Sequence, residues 1–145
     1  MIGNVDVKTQ SVHFYAQRIT NFDTWSAVIP WEVALLNEGG AMNLTSGIFT
    51  APVPGIYHFE FSIVKASTSS VLVVELHLNG DTVGYTFVNN QNDTPTSDSI
   101  SLTASLRLKA DDRVNLFNSG SGVIFGFSTR ATHFTGWLVE EDLMV

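Results

Sequence analysis

The chain has 145 residues, 44% hydrophobic and 14% charged, with a formal net charge of −7 and no cysteine. That length fits one domain able to bury roughly 70% of its unfolded surface, and the composition is too apolar for a disordered chain. Scattered Lys and Arg residues exclude a nucleic-acid-binding stripe, and the lack of cysteine excludes disulfides, thiolate metal sites and a cysteine nucleophile.

In chain order, residues 1–10 (MIGNVDVKTQ) lack the charged-then-apolar plan of a signal peptide and are expected to lead into a domain at 11–145. From there apolar residues recur with the two-residue period of a strand, and no segment holds a helical period over three turns. Strands are predicted at 11–18, 28–36, 46–50, 55–64, 71–79, 82–88, 98–108, 112–118, 123–128 and 132–140. In 55–64, Tyr57, Phe59 and Phe61 alternate with His58 and Glu60. Their rings share one strand face, expected to pack on a facing sheet about 10 Å away.

Leu72, Val74, Leu76 and Leu78, then Ile100, Leu102, Ala104, Leu106 and Leu108, mark two more half-buried strands. Pro54-Gly55 and Asn79-Gly80-Asp81 supply turn chemistry between strands. The polar stretch from Asn89 to Asp98 reads as a surface loop. Ten short strands with polar turns make an all-β chain, for which a two-sheet jelly-roll sandwich is the expected fold.

Catalytic chemistry is not legible. His13, His58, His77 and His133 lie on different predicted strands without metal-ligand spacing, and no Gly-x-Ser-x-Gly elbow occurs. The stretch GSGVIFG (120–126) precedes neither a helix nor a P-loop lysine. Asp111-Asp112 falls in a turn, and Glu140-Glu141-Asp142 reads as a solvated tail, so no carboxylate pair is set for acid-base work. The chain is therefore expected to be no enzyme, to hold no cofactor and to have no membrane-inserting segment. Sequons begin at Asn43 and Asn92 and matter only in a secretory pathway. Candidate ligand contacts are Asn89, Asn90, Gln91, Asn92 and Asp93 in the polar loop, with Asn118 and Ser119 in the turn 118–122. Their side chains offer donors and acceptors for sugar hydroxyls.

The spacing of Trp31, Asn37, Met42, Phe49, Gly55, Tyr57, Phe59 and Phe61 resembles the signature of the C1q domain family, the globular heads of complement C1q and its tumour-necrosis-factor-like relatives. Trp31 stands where the family usually has Phe, and Met42 where it has an aromatic or Leu. LHLNG (76–80), LRLKADDRV (106–114) and FTGWLV (134–139) are similar to three further landmarks. The resemblance implies a ten-stranded jelly roll assembled as a homotrimer. In it Trp31, Phe49, Gly55, Tyr57, Phe59, Phe61, Phe134, Gly136 and Trp137 serve the core and the threefold interface.

It further implies a secreted module of innate immunity that recognises carbohydrate or other microbial or host surface patterns. The alternatives are a structural trimerising head of a collagen-like or filamentous protein, and a cytokine-like receptor ligand. No Gly-X-Y repeat occurs in the chain. Some relatives hold calcium near the axis with acids around the segment matching RLKADDRV. Here Asp112 matches an acid, while Arg107 and Ala110 replace others. A calcium-free cluster of Arg107 with Asp111, Asp112 or Glu75 is expected instead.

Overall fold

Alternation of apolar and polar side chains resolves into two antiparallel sheets in the computed structural model, which describes residues 10–66, 71–89, 98–126 and 130–143. Among the described residues eleven strands run in order: β1 His13–Gln17, β2 Ala27–Val28, β3 Val33–Glu38, β4 Met42–Asn43, β5 Ile48–Thr50, β6 Gly55–Val64, β7 Val71–Leu78, β8 Asp81–Asn89, β9 Ser99–Leu108, β10 Arg113–Asn118 and β11 His133–Glu141. One sheet has the order β3-β1-β11-β6-β9 and the other β4-β5-β10-β7-β8, with β2 pairing β10. Neighbours distant in sequence make this a jelly roll.

The prediction of 55–64 matches β6 end to end, and its rings face the core: Tyr57 is 0%, Phe59 1% and Phe61 3% exposed. Phe49 on the opposite sheet meets Phe14, Tyr57 and Phe59 at 5.4, 5.5 and 5.5 Å between ring centroids. Gly136 stands between Phe14 and Phe59 in the register of β1, β11 and β6. A Cβ there would come within 2.6 Å of the Phe59 ring and 2.7 Å of the Phe14 ring, so the glycine makes room for both.

Three segments depart from expectation. Pro30 breaks the predicted strand 28–36 in two: Ala27–Val28 pairs β10 in one sheet, and Val33–Glu38 pairs β1 in the other. Proline has no N–H for a ladder, and the chain crosses between sheets there. The predicted strand 46–50 shortens to β5, joined to the short β4 through Gly47, whose φ is +75°. Any Cβ at Gly47 would stand 2.1 Å from the Ile29 carbonyl oxygen, so this left-handed turn requires glycine. Predicted strand 123–128 reduces to bridges from Ile124 to Phe22 and Lys65, with 127–129 outside the described residues.

Candidate recognition surfaces

Of the predicted ligand residues, Asn89, Asn118 and Ser119 lie at one end of the sandwich. Asn89 ends β8 opposite Val71 at the start of β7. After β10, the Ser119 amide donates to the Val73 carbonyl at 3.1 Å, and Gly122 packs on the Val71 backbone. Asn89 and the turn beyond β10 thus flank the same end of β7. Asn118 corrects the expectation: it is wholly buried, and its Nδ2 donates to the Thr24 and Gly122 carbonyls at 3.2 and 3.3 Å. It ties the turn together and is not available to a ligand. Asn90, Gln91, Asn92 and Asp93 lie outside the described residues.

Ser119 also bonds the carboxylate of Glu75, which accepts from Thr82 Oγ1 at 2.7 Å and lies 2.8 Å from His77 Nε2. The hydrogen bonds from His77 and Thr82 hold Glu75 below the usual carboxylate range. Glu75 is therefore committed to its own sheet and does not meet Arg107.

On the outward face of the five-stranded sheet, the parity opposite to the core brings together residues that the sequence reading left apart. His13, Trp137 and His58 are register partners across β1, β11 and β6, with ring centroids 5.4 Å and 4.8 Å apart. His58 Nδ1 lies 3.0 Å from Ser105 Oγ, and its Nε2 lies 3.0 Å from Glu60 Oε2. Tyr15 meets His133 edge-on at 5.6 Å. The signal was available: in HFYAQ, GIYHFEF and HFTGWLV these residues occupy the non-core positions.

The implied interface role of the signature aromatics changes accordingly. Trp31, Phe49, Tyr57, Phe59, Phe61 and Phe134 are buried within the protomer, as are Gly55 and Gly136, whereas Trp137 lies on the outward face. Leu35 on β3 is 59% exposed. A second apolar surface lies at the sandwich edge where β8 packs beside β9. There Tyr85 and Phe87 stack at 6.3 Å with planes 17° apart, next to exposed Val83.

The charge cluster is also arranged differently. Arg107 pairs with Asp142, whose amide donates to the Pro54 carbonyl at 2.9 Å. Residues 140–141 extend β11, so the acidic run is a strand end carrying a positioned carboxylate and not a loose tail. Asp112 accepts from Asn79 Nδ2 at 3.0 Å and from the Lys109 amide at 2.8 Å. Those two hydrogen bonds depress its carboxyl. Neither Asp111 nor Asp112 pairs with Arg107, and among the described residues no three His, Asp or Glu side chains are grouped to hold a metal.

The order of strands in the two sheets defines the jelly roll shared by C1q heads and tumour-necrosis-factor-type ligands. The globular domain of zebrafish complement 1qA superposes with a TM-score of 0.71 at 18% identity, covering 90% of this chain and 99% of that one. Murine APRIL at pH 5.0 gives 0.71 at 12% identity, covering 90% of this chain and 100% of its own. A C1q domain profile matches residues 13–139, and the chain belongs to the C1q domain family. Human complement C1q tumor necrosis factor-related protein 3 is 32% identical over 130 residues, spanning 90% of this chain and 52% of the relative. Caprin-2 of Danio rerio is 32% identical over 133 residues, 90% of this chain and 14% of its own length. The chain thus spans about half the length of the first of these relatives, and a small part of the second.

Proposed function

We propose that this domain is a secreted, non-catalytic, homotrimeric recognition module of innate immunity that presents the end bearing Asn89 and Ser119 to carbohydrate or protein surface patterns. The observation that carries the assembly is the pair of unlike aromatic surfaces. One is the half-buried aromatic row His13-Trp137-His58 on the outward face, and the other is the exposed Tyr85-Phe87 edge. Exposed apolar surface of this kind marks a protein contact. Two different patches on one chain fit a head-to-tail contact, which closes into a ring when its rotation allows. The low charged fraction supports the same reading, and the absence of cysteine leaves apolar burial to hold the subunits.

Light scattering at micromolar concentration should give about three times the 15.8 kDa chain mass, and a monomer would overturn the reading. Calcium is not required in this proposal, because Arg107 brings a cation where an ion would need oxygens. Thermal melts with and without a chelator should coincide, and a chelator-sensitive melt would show that a metal supports the trimer. For ligand recognition, a glycan array should report binding that disappears when residues 90–94 are replaced by Gly and Ser. Undiminished binding would remove that loop from the site.

A further inference from the structure

Three of the four histidines share one surface. His13 on β1, His58 on β6 and His133 on β11 all take the outward parity of the five-stranded sheet, and each is half-buried within the protomer. Of these three, His58 alone has a carboxylate partner: its Nε2 lies 3.0 Å from Glu60 Oε2. His13 and His133 have no Asp or Glu within ion-pair distance among the described residues.

Their surroundings are mostly rings and neutral polar groups. Around His13 stand the Trp137 ring at 5.4 Å and Tyr15 two residues along β1, with Glu38 as its register partner on β3. Glu38 is exposed on the edge strand, where water screens its charge. His133 has Gln17 and Ser62 as register partners and meets the Tyr15 ring at 5.6 Å. The other charges lie at the margins of the face. Arg107, paired with Asp142, and Glu140 are the register partners of Ile56 at one end. At the other, Arg18 pairs with Glu32 beyond Gln17, and Arg130 precedes β11.

We propose that protonation of His13 and His133 dissociates the trimer, so that this face is a pH-sensitive contact between subunits. The inference rests on the trimeric reading above and names how that contact is regulated. Neutral imidazoles can enter a dry contact beside Trp137 and Tyr15, whereas an imidazolium there loses its water without gaining a carboxylate. The separated subunit therefore binds protons more readily than the trimer, and by linkage acid favours separation. Net charge acts in the opposite direction. Acidification brings a chain of charge −7 toward its isoelectric point near 4.8, which lowers repulsion between copies and by itself would tighten assembly. Loss of the trimer on mild acidification is thus a sign that bulk charge does not produce.

The test is sedimentation of the full chain across a concentration series at about pH 7.5 and about pH 5.5, on either side of the ordinary histidine range. Wild type should be a trimer at the higher pH and shift toward the 15.8 kDa monomer at the lower. Below about pH 6.5 each imidazole that must stay neutral weakens assembly about tenfold per pH unit. The double variant His13→Gln, His133→Gln keeps neutral polar side chains at both positions and should remain trimeric at both pH values. Far-UV circular dichroism should be the same at the two pH values, because the dissociated subunit stays folded. A wild-type trimer that persists at the lower pH, a double variant that still dissociates, or dissociation accompanied by loss of the β-sheet signal would each overturn the switch. A monomer already at about pH 7.5 would instead overturn the trimer of the preceding section, and the switch with it.

Discussion

Replacing Phe59 by Ala is expected to destabilise the domain by about 3–5 kcal/mol, a large part of the total stability of a chain this size. The ring is 1% exposed and contacts Phe49 edge-on at 5.5 Å and Phe134 at 6.0 Å, with Phe14 and Tyr57 each at 6.4 Å. Its loss removes partners from rings on β1, β5, β6 and β11 at once. Collapse into the gap is restricted, because the neighbours are rigid aromatics held by two sheets. Urea unfolding should show a lower midpoint with an unchanged slope. A loss below about 1 kcal/mol would mean that the site relaxes far more than a jointed aromatic core allows.

Glu32→Ala should cost about 3 kcal/mol, through an ion pair of unequal burial. Glu32 accepts from the amides of Ile19 and Thr20 at 2.7 and 2.8 Å and from the Thr20 hydroxyl at 2.7 Å, and it lies 3.6 Å from Arg18. The Arg18 side chain is 6% exposed, also donates to the Pro30 carbonyl at 2.7 Å and sits over the Phe22 ring. Removing the carboxylate leaves that guanidinium buried without its counter-charge. Burial pushes the Glu32 carboxyl up, but the bonds from Thr20 and Ile19 and the Arg18 charge outweigh it and hold the group below its usual range. Its contribution is therefore complete above the ordinary glutamate value of about 4.3 and disappears as pH falls through the lower folded value. The stability gap between wild type and Glu32→Gln should close on acidification across that window. A gap that stays constant with pH would sink the electrostatic explanation.

Segments whose period alone decides their fate were legible from composition and spacing. Strand β6 is the clearest case, since it starts at the Pro54-Gly55 turn and its core face carries three successive rings, Tyr57, Phe59 and Phe61. Pro30 was equally visible in VIPWEV, but the apolar run around it favoured one strand over the split that the missing N–H demands. Other positions depend on partners far along the chain. Asn118 reads as a turn residue until its amide is seen bonded to Thr24, and Asp142 reads as a frayed end until Pro54 holds it beside Arg107. Buried Asn115, whose Nδ2 meets no acceptor among the described residues, carries no sequence signal, because its burial is a property of the assembled sheet. The His13-Trp137-His58 row is encoded in the outward parity of β1, β11 and β6, the complement of the core-facing alternation.

Strands β1 and β11 are hydrogen-bonded neighbours running in opposite directions, with the Leu138 amide donating to the Val12 carbonyl at 3.0 Å and Glu141 beside Gly55. The polypeptide therefore enters and leaves on the same side of the domain. Tension drawn between its two ends would load the β1-β11 ladder one rung at a time, like the slider of a zip, beginning at His13 and Trp137. Tension through a single end, with the opposite loops gripped by a ligand, would instead pull lengthwise against many rungs together. The direction of pulling, and not the number of β1-β11 rungs, therefore decides how much of the ladder shares a load.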